Sequence, residues 1–177
     1  QFFLRVNVDF GDFEGQLLAE LAEREGVLAM LLGEDGVDAL SLAVLDAFAG
    51  TGAVAIEALS RGAEKVYAVD RDQDAFEILK DNRDLVTDET RLSVHRSNVK
   101  SWLKGTDDLQ FDLVIADPPY DAIGMNALDQ CAQSVKKDGL LVVSLPLSEN
   151  IDFKDCQKID EKKYGNAKLV FYRKQKG

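Results

Sequence analysis

From Leu42 onward, short apolar runs alternate with stretches of helical periodicity, and this alternation leaves few folds open to the chain. The runs "LAVLDAF" (Leu42–Phe48), "KVYAVD" (Lys65–Asp70), "RLSVHR" (Arg91–Arg96), "FDLVIAD" (Phe111–Asp117) and "GLLVVSL" (Gly139–Leu145) predict buried strands. Between them, helices are predicted over Gly52–Gly62, Asp72–Val86, Val99–Lys104 and Ala127–Lys137. Strands that alternate with helices imply a doubly wound α/β fold, a parallel sheet with helices on both faces. Two last strands, near Asp152–Asp160 and Ala167–Arg173, follow each other without a helix and predict an antiparallel hairpin on one edge. Ahead of this pattern, "FFLRVNV" (Phe2–Val8) reads as a strand, and an interrupted helical pattern runs from about Phe13 to Leu32 before "GEDG" (Gly33–Gly36). The expected organisation is an N-terminal extension over residues 1–40 and one α/β domain over residues 41–177.

Composition narrows the class. The 177 residues are 46% hydrophobic and 30% charged, as expected of a folded globular chain. No apolar run approaches the roughly 20 residues of a membrane span. The chain begins with Gln1, and no charged-then-apolar leader opens it. Cys131 and Cys156 lack metal-ligand spacing and read as reduced thiols, so the expected location is the cytoplasm, with no membrane and no metal. His95 is the only histidine and falls in a strand, which disfavours a histidine-dependent triad. The net charge of −11 argues against general nucleic-acid affinity. The charge is uneven, however: residues 151–177 carry eight Lys or Arg against four Asp or Glu. Such a segment is either a phosphate-contacting patch or a solvated edge.

"DAFAGTGAVA" (Asp46–Ala55) leaves a strand and enters a helix. Gly50 and Gly52 permit a sharp turn and close approach of a ligand, at the strand end where doubly wound sheets bind ligands. Asp70 ends the next strand, where a carboxylate can accept hydrogen bonds from both hydroxyls of a ribose. "GTGAVA" fits a loose dinucleotide pattern, so a nicotinamide cofactor is one reading. Asp46 favours S-adenosyl-L-methionine, because an anion beside the loop suits an ammonium and a sulfonium better than a pyrophosphate. Asn98 follows the third strand at the same sheet end, either to read an adenine edge or to cap a helix.

"DPPY" (Asp117–Tyr120) uses two of the three prolines of the chain directly after a strand. Pro118 and Pro119 stiffen the backbone and remove two N–H donors. Asp117 and the Pro118 carbonyl are then acceptors at fixed positions, with the Tyr120 ring beside them. That set suits a planar substrate carrying an NH₂ group. An amine conjugated to a nucleobase is a poor nucleophile. Acceptors on both of its protons would favour a pyramidal nitrogen and stabilise the charge that grows as it takes a methyl group.

Taken together, "VLDAFAGTGAVAIEALSRGAEKVYAVD", "FDLVIADPPY" and "KKYGNAKLVFYRK" resemble the bacterial 16S ribosomal RNA guanine-N2 methyltransferase family over roughly residues 42–173. The resemblance implies a seven-stranded, Rossmann-like class I fold whose last strand is antiparallel. It implies a cofactor loop at Asp46, Phe48, Ala49, Gly50, Thr51 and Gly52, a ribose acid at Asp70 with Arg71 beside it, and an adenine contact at Asn98 and Val99. It implies a catalytic tetrapeptide of Asp117, Pro118, Pro119 and Tyr120. The partner it implies is ribosomal RNA or a partly assembled small ribosomal subunit. The N-terminus departs from that family, whose members open with a basic glycine-rich hairpin and a "TRPT" segment. Residues 1–41 hold nine acids and only Arg5 and Arg24 as bases.

The expectation is therefore an S-adenosylmethionine-dependent N-methyltransferase acting on guanine N2 of 16S ribosomal RNA. The rivals are a DNA adenine or cytosine amino-methyltransferase, a non-catalytic cofactor-binding scaffold and a nicotinamide oxidoreductase.

Overall fold

In the computed structural model, residues 42–87, 90–119 and 124–175 are described. The expected N-terminal strand and helix, and Tyr120, lie outside the described residues. Seven strands form one sheet: β1 (Ala43–Asp46), β2 (Lys65–Asp70), β3 (Leu92–Arg96), β4 (Phe111–Ala116), β5 (Val135–Pro146), β6 (Cys156–Tyr164) and β7 (Ala167–Lys174). Four helices connect them: α1 (Ala53–Ser60), α2 (Gln73–Val86), α3 (Val99–Lys104) and α4 (Met125–Gln133). The strand order is β3-β2-β1-β4-β5-β7-β6. The first five strands pair in parallel, while β7 runs antiparallel between β5 and β6. This is the Rossmann-like class I methyltransferase fold, with the terminal hairpin forming one edge of the sheet.

Alternation along the central strands divides the core in two. Val44, Val66, Leu113 and Val142 face one layer, which α1 and α2 cover through Val54, Leu59 and Leu79. Leu45, Val69, Val114 and Leu141 face the other, which α3 and α4 cover through Val99, Leu103, Leu128 and Cys131. The period of two along each strand sends successive residues to opposite faces, so the middle of each central strand is apolar on both faces. The chain winds from β1 outward to β3 and then returns to β4 on the other side of β1. The loops after β1 and β4 therefore flank the point where the winding reverses, which is where such sheets bind ligands.

Two boundaries differ from the sequence expectation. The predicted helix to Lys137 stops at Gln133, because the Ser134 hydroxyl donates to the Cys131 carbonyl at 2.7 Å and Val135 already pairs with Phe111. Lys136 continues into β5 and pairs with Asp112 at 3.2 Å. The sixth strand begins at Cys156 rather than near Asp152. Ile151 and Phe153 supply the apolar signal there, but they bury their side chains in the second core layer without strand pairing, and the Ile151 carbonyl accepts from the Tyr172 hydroxyl.

The basic C-terminal segment is largely occupied in holding the hairpin. Lys168 is buried and reaches Asn150 Oδ1 at 3.0 Å, and buried Lys174 donates to the Ala132 carbonyl at the end of α4. Lys158 pairs with Glu161, and Arg173 donates to the Asp138 carbonyl. A cation at a helix C-terminus is favourable, because the last carbonyls are unpaired and carry the negative end of the dipole.

His95 packs among Trp102 and Tyr67, with ring centroids 5.1 and 6.4 Å away, and its Nε2 lies 2.7 Å from the Ser93 hydroxyl. Burial lowers its pKa below the ordinary imidazole value of 6.5, and the Lys65 ammonium lowers it further. The unfolded chain therefore binds the proton more readily than the folded one. The stability contributed by neutral His95 is complete above the unfolded value and is lost as pH falls below it. A denaturant titration at several pH values is expected to show this loss, and His95→Gln is expected to flatten it. Identical pH slopes for the two proteins would contradict the assignment.

Candidate active site

Gly50 and Gly52 adopt positive φ angles of 55° and 87°, which sets the sharp exit from β1. The space at Gly52 is filled by the protein itself: a Cβ there would lie 2.3 Å from Leu79 Cδ1. Close packing of α2 against the loop, more than ligand approach, thus requires glycine at this position. Gly52→Ala is expected to cost about 2–4 kcal/mol, from the left-handed backbone together with overpacking against a buried leucine. Chemical denaturation checks it; a loss below about 0.5 kcal/mol, the scale of an ordinary surface change, would contradict the packing account.

Asp70 joins this loop to the end of β2. Its Oδ2 accepts from Gly50 N at 2.9 Å, and its Oδ1 accepts from Asp72 N at 2.8 Å. A carboxylate has about four lone-pair positions, so two remain for hydroxyl donors from a ligand. Asp72 caps α2, with its Oδ1 accepting from Ala75 N. Asn98 caps α3 in the same way, its Oδ1 accepting from Ser101 N at 3.3 Å. The carbonyl of the Asn98 side chain is thus used by the helix, which leaves its NH₂ group facing outward as a donor.

A cleft of about 400 Å³ opens at this sheet end. Of the residues expected from sequence, Phe48, Asp70, Arg71, Asn98, Val99, Asp117 and Pro119 line it. Gly124 and Ala127 of the α4 N-terminal turn complete the wall beside Asp117, and Ser97 lies beside Asn98. Asp46 is only 4% exposed at the end of β1, and Ala49 and Pro118 are buried. Asp117 is half-buried and Pro119 exposed. Sequence reasoning missed Leu79 and Asn82, which hold the loop from α2. Their helical spacing marked only a buried face.

The residues suit S-adenosylmethionine. Asp70 offers acceptors for a ribose diol, Phe48 and Val99 offer apolar surface for a flat base, and the Asn98 amide offers a donor beside them. The volume falls within the range of small-molecule sites.

Comparison with known proteins gives the family. The family model "Conserved hypothetical protein 95" matches residues 24–173. The chain belongs to this family. Its relatives include the Bacillus subtilis protein named "Putative rRNA methyltransferase YlbH", 30% identical over 141 residues, or 74% of this chain and 75% of that protein. The "Ribosomal RNA small subunit methyltransferase D" of Buchnera aphidicola is 36% identical over 77 residues, covering 43% of this chain and 39% of that one. Among solved structures, a Haemophilus influenzae protein described as a "putative methylase" superposes with a TM-score of 0.71 at 26% identity, covering 77% of this chain and 89% of that one. As a member of this family with this fold, the chain is a class I methyltransferase of the kind that uses S-adenosylmethionine. No helix among the described residues is long and apolar enough to cross a membrane.

Proposed function

We propose that the protein transfers a methyl group from S-adenosylmethionine to the exocyclic amine of a nucleobase, with guanine N2 of 16S ribosomal RNA as the target. The observation that carries the reading is the opening of the Asp117–Pro119 loop onto the same cleft as Asp70 and Asn98. An amine held at Asp117 would thus face the cofactor's end of the cleft. The small-subunit target is supported by the similarity to the Buchnera enzyme and by the "K-x-Y-G" strand entry at Lys162–Gly165.

In this reading Asp70 and Asn98 hold the nucleoside part of the cofactor, and Asp46 supplies negative charge at the base of the loop. The bound cofactor supplies an electrophilic methyl group on a sulfonium. Asp117 and the Pro118 carbonyl accept hydrogen bonds from the two amino protons of the substrate and so orient the nitrogen lone pair. Both acceptors strengthen as positive charge grows on that nitrogen, which places their effect in the transition state. Tyr120, next in sequence, supplies a ring on which the base stacks after leaving its helical stack.

The test is incubation with a labelled methyl donor and separate pools of ribosomal RNA, partly assembled small subunits and DNA. Label is expected in one of the two RNA pools. Label confined to DNA would favour the amino-methyltransferase rival, and label in the protein of the subunit pool would contradict a nucleobase acceptor.

A further inference from the structure

Helix α2 meets the glycine-rich loop at two places. Leu79 fills the space beside Gly52, and one turn later Asn82 Nδ2 donates to the Thr51 carbonyl at 2.9 Å. Asn82 is only 2% exposed, so solvent offers little competition for that bond. Its partner is a carbonyl, which can only accept, so the amide must present its NH₂.

Thr51 stands between two glycines with positive φ. The Thr51–Gly52 peptide joins a β-branched residue to a glycine, and the wide φ range open to Gly52 lets that peptide turn over from the glycine side. The Thr51 carbonyl and the Gly52 N–H are the two ends of one peptide unit. Gly52 N donates to the Ala49 carbonyl at 2.9 Å, while Asn82 holds the opposite end. A flip would break both bonds and turn one carbonyl toward another.

We propose that Asn82 is a positioning residue for the cofactor loop, holding the Thr51–Gly52 peptide in the orientation that binds S-adenosylmethionine. The proposal rests on the cofactor reading above. Its reach extends further, because Asp70 ties Gly50 N to the start of α2 through Asp72. The glycine loop, the ribose acid and α2 then form one unit, and Asn82 closes it at the far side. When a loop is competent only part of the time, the apparent dissociation constant rises by the inverse of that fraction. Losing one hydrogen bond of ordinary net strength permits a fall in competence of about five- to tenfold.

Asn82→Leu is the first test, since leucine has the same branched skeleton and number of side-chain heavy atoms, donates nothing and suits a buried position. Calorimetry with S-adenosylhomocysteine is expected to show affinity lowered about five- to tenfold with the melting temperature retained. In the ligand-free protein, the Gly52 amide is expected to exchange faster with solvent deuterium while the central strands stay protected. Asn82→Asp is the second. Its carboxylate repels the Thr51 carbonyl near neutral pH, but its protonated form can donate and burial favours that form, so affinity relative to wild type is expected to recover as pH is lowered. Should that variant fail to fold, Asn82→Leu carries the test alone. A purely packing role would change melting temperature without changing affinity per folded molecule. Wild-type affinity and wild-type Gly52 exchange in Asn82→Leu would overturn the proposal. If wild type itself does not bind the ligand, the cofactor reading fails, and Gly52 exchange still reports separately whether Asn82 holds the peptide.

Discussion

Asp117→Ala is expected to slow methyl transfer about a hundred- to a thousandfold, the scale of one preorganised electrostatic group, while cofactor affinity stays near that of wild type. Asp117 lines the cleft from the loop that ends β4, whereas Asp70 lines it from the end of β2, so in the proposed reading removal of Asp117 leaves the cofactor-binding residues in place. Its hydrogen bond to the amine strengthens only as charge develops, and kcat should fall more than binding. Asp117→Asn keeps the size and one acceptor and is expected to lie between alanine and wild type. The tyrosine that follows separates stacking from hydrogen bonding. Tyr120→Phe should be mild and Tyr120→Ala severe, because a ring face serves the base and a hydroxyl is not required. Single-turnover transfer at saturating cofactor measures all four. Near-normal turnover in Asp117→Ala, or equal losses for the two Tyr120 variants, would contradict the amine-clamp reading.

The second large effect falls on binding. In the proposed reading Asp70→Ala removes a charge-assisted contact to a ribose worth roughly 1.5–3 kcal/mol, or about ten- to a hundredfold in affinity. It also removes the acceptor for Gly50 N and for Asp72 N, so the loop and the α2 N-terminus lose a shared anchor. The loss is therefore expected at the upper end of that range. Asp70→Asn retains a single good acceptor, because its NH₂ cannot accept from a backbone N–H, and should fall between. Calorimetry with S-adenosylmethionine decides it, and unchanged affinity in Asp70→Ala would show that the carboxylate serves the loop alone.

The strand–helix alternation was legible because buried parallel strands are apolar throughout and their helices carry caps such as Asp72. Legibility failed where local pattern and tertiary role part company. Lys136 and Lys137 look like the end of a helix, yet Val135 is already committed to Phe111 across the sheet. Ile151 and Phe153 look like strand residues but fill a core layer from a loop. In the site, Asp70, Asn98 and Asp117 could be found because parallel strands bring their C-terminal ends to one edge. Asn98 then proved to be a helix cap as well as a cleft residue. Asn82 gave no such signal: its bond to Thr51 spans 31 positions and depends on how α2 lies against the loop. Gly52 was read as permitting a sharp turn and close approach of a ligand; its φ of 87° makes the turn, while Leu79 fills the space a Cβ would take.

The central claim is that a nucleobase amine accepts the methyl group, and the identity of the methylated nucleoside tests it most directly. Partly assembled small subunits, incubated with the protein and S-adenosylmethionine, would be digested to nucleosides and resolved by mass spectrometry against a no-enzyme control. The account predicts a gain of N2-methylguanosine that is lost in Asp117→Ala. A methyl group on a ring carbon, a ring nitrogen or a ribose hydroxyl, appearing with wild-type protein, would contradict it.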